Sequence, residues 1–313
     1  ANAIISNGRS IGKVKVPQIK VANPRRAASL VAAEFYDHPT KDLTVVGITG
    51  TNGKTTTSSL LYSILNKAGY KTAQLGTLGL KYPGFKQEHS LTTPDAISLQ
   101  KSFSKLKRIG ISHIVMEVSS HSLDQYRVAD IDYNIGIFTN LAPEHLDYHS
   151  SMESYFKAKS RLFKMLSVHS TAIINVSNSY GKRMIKETTA PYITFSKNDK
   201  NSVHFSNRNC TISGISGTII ANDTKYKINS KLVGEFNSEN ILSAVSAAHA
   251  LGINKEFIIE GINCCESIPG RMESFPLASG AFAIIDYAHT PDAYYSVLNT
   301  LSSIKSKENN LYL

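Results

Sequence analysis

Residues 47 to 57 read Gly47-Ile48-Thr49-Gly50-Thr51-Asn52-Gly53-Lys54-Thr55-Thr56-Thr57, directly after the apolar run Leu43-Thr44-Val45-Val46. A buried strand that enters a glycine loop and leaves through Lys-Thr into a helix is the arrangement that holds a nucleotide triphosphate. The glycines let backbone N–H groups turn inward around phosphate oxygens. The Lys54 ammonium sets a point charge at the terminal phosphates, and the Thr55 hydroxyl can join the shell of a magnesium ion. The general pattern G-x-x-x-x-G-K-S/T would put glycine where this chain has Ile48, so the loop reads as a variant with ATP as the expected ligand.

Two further segments carry groups that can meet a triphosphate. Met116-Glu117-Val118-Ser119-Ser120-His121 ends one apolar run, and Asn140 to His149 (Asn140-Leu141-Ala142-Pro143-Glu144-His145-Leu146-Asp147-Tyr148-His149) ends another. In a parallel sheet both would lie at the same edge as the glycine loop. Magnesium prefers oxygen and keeps several waters, so Glu117, Thr55 and phosphate oxygens make a reasonable first ion site. His145 is a less typical magnesium ligand, and pattern alone leaves it equally a hydrogen-bonded surface histidine.

The elements that must position these groups are legible. Leu60, Leu61, Ile64, Leu65 and Ala68 recur at helical spacing after the loop, and Gly69 stands where a left-handed cap is wanted. From Leu43 onward, strand-like runs (72–75, 114–118, 135–139, 172–176, 193–195) alternate with helical patterns (95–107, 152–166, 179–187). The fold class is therefore α/β, a mostly parallel sheet flanked by helices. Between 202 and 233 short alternating strands with Gly214, Gly217 and Asn222-Asp223 as turns predict antiparallel hairpins. Helices follow over 238–251 and 255–263. A fresh strand at 282–286, a helix at 291–304 and a final strand in Leu311-Tyr312-Leu313 complete the reading. Before the loop, Asn23-Pro24 leads into a helix with Ala27, Leu30, Val31 and Phe35, ended by His38-Pro39.

The 313 residues suit more than one domain, and 42% hydrophobic with 19% charged residues is ordinary for a globular chain. The net charge of +10 is scattered in ones and twos without interleaved aromatics, which argues against a nucleic-acid partner. Cys210, Cys264 and Cys265 lack zinc-site spacing and suit a reducing compartment. No run is long and apolar enough to span a membrane, and no signal peptide is evident, so a cytoplasmic monomer is expected. A start at Ala1 and an end inside an apolar run suggest a segment of a longer polypeptide.

Taken in order, Thr49 to Thr57, Glu117 to Leu123, Asn140 to His149, Gly234-Glu235-Phe236-Asn237, Pro269-Gly270-Arg271-Met272-Glu273 and Asp286-Tyr287-Ala288-His289-Thr290-Pro291-Asp292 resemble the Mur ligases, in their MurE type. The resemblance covers essentially the whole chain. It implies three parts: 1–42, the end of a UDP-binding domain; 43–279, the central ATP-binding domain; and 280–313, the start of a C-terminal domain.

The resemblance further implies that Gly50, Thr51, Asn52, Gly53, Lys54, Thr55 and Thr56 hold the ATP phosphates. Thr55, Glu117, His145 and a carbamylated Lys159 would hold magnesium, with Lys54, Lys159 and His145 as the catalytic set. Carbamylation turns an amine into an anionic oxygen donor, which is how a lysine could ligate the ion. Asn237, Asn240, Arg271, Asp286 and His289 would surround adenine and ribose, although Asn237 also stands where a helix cap would. Thr92, Thr93, Ser119, Gln125 and Arg127 would grip a UDP-MurNAc-dipeptide. The implied activity is ATP-dependent addition of an amino acid, meso-diaminopimelate or L-lysine, through an acyl phosphate in peptidoglycan precursor synthesis. The loop alone marks only the wider superfamily, which includes folylpolyglutamate synthases. A non-catalytic ATP-binding relative is the remaining alternative, and the intact Lys54, Thr55, Glu117, His145 and Lys159 stand against it.

Overall fold

The computed structural model describes residues 3–8, 15–88, 91–197, 202–305 and 310–312. In chain order the first elements are β1 (Ile4–Ser6), β2 (Gln18–Lys20), α1 (Pro24–Phe35), β3 (Thr44–Thr49), α2 (Lys54–Lys67), β4 (Thr72–Gly76), β5 (Gly79–Tyr82), β6 (Phe85–Glu88) and α3 (Ala96–Arg108). Next come β7 (His113–Glu117), α4 (Ser120–Asp124), β8 (Ile135–Phe138), α5 (Leu146–His149), α6 (Met152–Lys164), β9 (Thr171–Asn175), α7 (Ser179–Met184) and β10 (Tyr192–Phe195). The remainder is β11 (His204–Thr211), β12 (Gly214–Ala221), β13 (Thr224–Ser230), α8 (Asn237–Ala250), α9 (Lys255–Asn263), β14 (Glu273–Pro276), β15 (Phe282–Ile285) and α10 (Pro291–Ile304).

Eight strands form the main sheet in the order β10-β9-β8-β3-β7-β4-β5-β6. From β10 to β4 every pairing is parallel, and β5 and β6 add an antiparallel edge. The strand β3 sits between β8 and β7, so the chain leaves it toward β4 on one side and later returns to β8 on the other. A crevice opens at such a reversal, outside the carboxyl ends of the strands. The loop 50–53 leaves β3 at that point.

Alternation along β3 builds the two faces. Val46 and Ile48 join Leu60, Leu61, Ile64 and Leu65 of α2 and Ile241 and Val245 of α8 in one core, while Val45 joins Leu99 and Phe103 of α3 and Phe156, Leu162 and Phe163 of α6 in the other. Both faces are covered, which is why β3 reads as a continuous apolar run rather than an alternating one. The three-stranded antiparallel sheet β11-β12-β13 packs its inner residues Ile215, Ile219, Tyr226 and Ile228 into the α2–α8 core. The last hairpin and α10 rest on a small cluster of Val233, Met272 and Leu301.

Among the described residues no helix is long and apolar enough to cross a membrane. The expected strands and helices of the main sheet are present within a residue or two, and Gly69 takes the left-handed φ of 85°. The structure departs from the expected pattern in a few places. Residues 310–312 lie in no strand, with Leu311 and Tyr312 exposed, and Leu313 lies outside the described residues. The helix α1 forms behind its Asn23 cap, yet it buries Ser29, Ala32 and Ala33, while Leu30, Val31 and Phe35 face outward. The pair β5–β6 was not expected; its strands are four residues each, too short for alternation to register. The boundary expected near Ser279-Gly280 falls in the turn between β14 and β15, where Gly280 N–H donates to the Leu277 carbonyl.

Helix α2, which must aim its N-terminus at the loop, is seated by a close helix–helix approach at Gly261 of α9. A Cβ there would stand 2.4 Å from Ile64 Cα and 2.8 Å from Ile64 N, both backbone atoms. Gly261→Ala is expected to cost about 1–3 kcal/mol through overpacking, read as a lower denaturant midpoint. An unchanged midpoint would show that this contact does not seat the helix.

Candidate functional site

The turn is locked before any ligand is considered. Asn140, just past β8, accepts from Asn52 N–H through Oδ1 at 2.8 Å and donates through Nδ2 to the Asn52 carbonyl at 3.1 Å. Thr139 Oγ1 donates to the same carbonyl at 2.6 Å, and the Asn140 carbonyl accepts from Thr51 N–H at 3.1 Å. Thr51 Oγ1 in turn accepts from Ala142 N–H at 3.0 Å. Glycine is required at both ends of the turn. Gly53 has φ of 86°, and a Cβ on it would sit 2.1 Å from Asn240 Oδ1; one on Gly50 would sit 1.8 Å from Thr139 Oγ1. Gly53 caps α2 without a side chain, so the first N–H groups of the helix are free to meet an anion.

Two amines converge behind the turn. Lys54 Nζ donates to the carbonyls of Gly50 (2.9 Å) and Thr51 (2.7 Å), and Lys159 Nζ donates to the Gly50 carbonyl at 2.9 Å. Burial lowers the Lys54 pKa, against the pull of Glu117 and Glu144. Burial lowers that of Lys159 far more, and the neighbouring Lys54 charge adds to the effect. Tyr155 and Lys159 lie four apart on α6 and so share a face; the ammonium stands 4.3 Å from the ring centroid. Lys157 points outward from the same helix.

Carboxylates face these amines from two directions. Glu117, 1% exposed at the end of β7, accepts from Thr77 N–H and Thr77 Oγ1 at 3.0 and 3.1 Å. Glu144 accepts from Tyr155 Oη at 3.4 Å and lies 3.4 Å from His289 Nε2 and 3.7 Å from His145 Nε2. Arg271 reaches from the last segment to donate to Thr55 Oγ1 at 3.3 Å, and Asp286 accepts from Met272 N–H at 2.8 Å. All these groups border one cleft of about 810 Å³. It presents free helix N–H groups, the amines of Lys54 and Lys159 and a guanidinium at one place, with the carboxylates of Glu117, Glu144 and Asp286 beside them. That combination can hold a polyanion and a hard cation together.

Of the residues singled out from the sequence, Thr51, Asn52, Gly53, Lys54, Thr55, Thr56, Thr92, Glu117, Ser119, His145, Lys159, Asn240, Arg271, Asp286 and His289 line this cleft. Gly50, Thr93, Gln125, Arg127 and Asn237 stand behind it. Thr93 Oγ1 donates to the Glu117 carbonyl and accepts from Ser119 N–H, Arg127 donates to the Thr93 carbonyl and to Gln125 Oε1, and Asn237 Nδ2 donates to the Val233 carbonyl. Asn237 is the first residue of α8 and its Oδ1 accepts from Asn240, so it steadies Asn240 rather than capping the helix. Glu144 was not singled out. Its only signal was its place beside His145 in the 140–149 segment. Among the described residues no group of three or more His, Cys, Asp or Glu gathers as a metal cage.

A family model described as the Mur ligase middle domain matches residues 48–248. A ligase of Geobacter metallireducens, named UDP-N-acetylmuramoyl-L-alanyl-D-glutamate–2,6-diaminopimelate ligase, is 40% identical over 292 residues, 91% of this chain and 57% of the relative. A ligase of the same name from Nostoc is 41% identical over 280 residues, 88% of this chain and 56% of the relative. The chain thus spans little more than half the length of these relatives. A solved structure of a ligase of that name superposes with a TM-score of 0.83 at 28% identity, covering 97% of this chain and 63% of the other.

A wall of imidazoles borders the amines. His149 Nε2 pairs with Ser120 Oγ at 2.9 Å, and the His149 ring lies 5.0 Å from Tyr155 and 5.5 Å from His121. Burial, reinforced by His121, pushes the His149 pKa from its ordinary 6.5 down to about 4. The unfolded chain therefore binds this proton first, and His149 contributes stability that is full above 6.5 and lost as pH falls toward 4. NMR titration should show a neutral His149 ring down to about pH 4. His149→Gln should flatten the acid side of the stability profile; an unchanged profile would assign the slope to other groups.

Proposed function

The chain belongs to the Mur ligase family, and from that premise we propose that it is the nucleotide-binding part of a cytoplasmic ATP-dependent ligase. The ligase would join an amino acid to UDP-N-acetylmuramoyl-L-alanyl-D-glutamate in peptidoglycan precursor synthesis. The names of the relatives favour 2,6-diaminopimelate as that amino acid. On this reading residues 1–42 end a UDP-binding domain, 43–279 form the ATP-binding domain and 280–313 open the last one. The observation that carries the proposal is the meeting of the 51–56 turn, Lys54, Lys159, Glu117 and the Arg271, Asp286 and His289 side chains at one cleft.

In the proposed reaction a carboxylate oxygen of the dipeptide attacks the γ-phosphorus of ATP, ADP leaves, and an acyl phosphate forms. The amine of the incoming amino acid then attacks the acyl carbon, phosphate leaves, and the nitrogen gives up a proton. The chain's part is to hold and neutralise charge. Free N–H groups at the start of α2 and the Lys54 ammonium face the phosphates, and Arg271 fixes Thr55. Asn240, resting over Gly53, and Asp286 and His289 line the same cleft, where they would border the ribose and base. Thr92 and Ser119 border the acceptor's side, with Thr93, Gln125 and Arg127 bracing them from behind.

The residues fit magnesium. Magnesium takes one or two protein oxygens beside phosphates and water rather than a dedicated cage, and Glu117 and Thr55 supply such oxygens. When bound, the ion would screen the phosphate charge as the acceptor oxygen approaches. The Lys159 amine fits carbamylation because only a neutral amine attacks carbon dioxide, and burial beside Lys54 keeps its pKa low. The N–C bond forms, one proton leaves to solvent, and the neutral amine becomes an anion attracted to Lys54. That anion, with His145, would serve a second ion.

Lys54→Ala is expected to weaken binding of a non-hydrolysable ATP analogue on the order of 100-fold and to abolish amino-acid-dependent phosphate release by the complete protein. Failure of the unaltered chain to bind the analogue would sink the proposal. Carbon-13 NMR after incubation with labelled bicarbonate should give a carbamate signal that persists in Lys157→Arg and vanishes in Lys159→Arg. A signal independent of Lys159 would locate the modification elsewhere.

A further inference from the structure

The carboxylate of Glu117 is held at both oxygens by a single residue, with Thr77 N–H on Oε1 at 3.0 Å and Thr77 Oγ1 on Oε2 at 3.1 Å. Two bonds from one residue fix the plane of a carboxylate as well as its position. Each oxygen still has a lone pair to offer, since a carboxylate carries about four acceptor sites.

The residue before Thr77 makes this possible. Strands β4 and β7 run in parallel with Leu75 opposite Met116, which sets Gly76 beside Glu117. A Cβ on Gly76 would meet Glu117 Oε1 at 2.2 Å, Cδ at 2.6 Å and Cγ at 2.7 Å, so the side chain of Glu117 lies across the space that any other residue would fill. Gly76 has no positive φ, so its role here is room rather than backbone freedom. The Thr77 hydroxyl is also 3.2 Å from Thr92 Oγ1. A carboxylate only accepts, so the Thr77 proton points to Glu117 and Thr92 donates to Thr77.

We propose that Gly76 and Thr77 form a positioning unit for Glu117, holding its carboxylate in the rotamer that faces the cation and linking it through one hydroxyl to Thr92. The proposal rests on Glu117 as a magnesium ligand. Partners that orient a ligating carboxylate commonly set metal affinity by about 10–100-fold. The substitutions act by different routes: Thr77→Val deletes the hydroxyl bond and keeps the shape, and Gly76→Ala pushes the carboxylate aside. The atoms that Gly76→Ala displaces are side-chain atoms, which can rotate away without moving backbone.

The test is calorimetric binding of a non-hydrolysable ATP analogue to the 313-residue chain, titrated with magnesium and repeated in EDTA. Thr77→Val and Gly76→Ala should each weaken the magnesium-dependent gain in affinity by about tenfold or more, leave binding in EDTA unchanged, and Thr77→Ser should restore the gain. Retention of the gain in both variants would overturn the proposal, as would an equal loss with and without magnesium, which would assign the pair a purely structural role. Should Thr77→Val fail to fold, Gly76→Ala and Thr77→Ser decide the matter. If the unaltered chain binds the analogue with no magnesium-dependent gain, Glu117 is not a ligand and the proposal falls with that reading. A chain that does not bind the analogue at all would refute the nucleotide site itself.

Discussion

Two buried lysine amines share one backbone carbonyl. Lys54 and Lys159 both donate to the Gly50 oxygen at 2.9 Å, from helices on opposite faces of the sheet. Like charges at such a distance repel strongly in a low-dielectric interior, and burial depresses both pKa values. The arrangement persists because the surrounding structure holds it. Strand β3 fixes the carbonyl, the start of α2 fixes one lysine, and the hydrophobic face of α6, with Tyr155, Phe156 and Phe163 buried beside it, fixes the other. Positive charge concentrated this way is a demand for anions, and the carboxylates of Glu117 and Glu144 answer only part of it.

The sheet order explains why these groups can meet. Glycine loop, Glu117 and the 140–149 segment follow β3, β7 and β8, three adjacent parallel strands, so their ends open on the same side. The order β8-β3-β7 then brings the Asn140 side chain to the loop from one flank and Glu117 to it from the other. Neither contact involves neighbours in sequence. Both follow from parallel pairing whose register is fixed by burial on both faces.

Much of this was legible in the residues, and the reasons differ by element. The main-sheet strands are two-sided apolar runs, and α2 and α8 carry helical periodicity with glycine stops at Gly69 and Gly252, so local pattern and tertiary role agree. Where they disagreed, the sequence misled. On α1 the larger apolar side chains Leu30, Val31 and Phe35 mark the helix in the sequence but stay exposed, and the residues it buries are Ser29, Ala32 and Ala33. The strand expected at 311–313 is not formed at Leu311 and Tyr312. Site chemistry was legible where a motif names the residue, as at Lys54 and Thr55. The contributions of Glu144, Asn140 and Thr77 come from long-range geometry, and only the fold reveals that Gln125 and Arg127 stand behind the cleft rather than in it.

The terminal hairpin and α10 are fastened differently from everything else. Their apolar hold is the small cluster around Val233, Met272 and Leu301, and their polar ties to the rest of the cleft include Arg271 to Thr55 and His289 to Glu144. A partly exposed ion pair contributes at most about 1 kcal/mol, and a hydrogen bond about the same. This flank is therefore held to the cleft more weakly than the two main cores are held within themselves. The phosphate turn, locked by Asn140 and Thr139, faces it across the cleft. The firmest contacts lie under the charges and the weakest at the rim, so a change at Arg271 or His289 would loosen the edge of the cleft without disturbing the sheet.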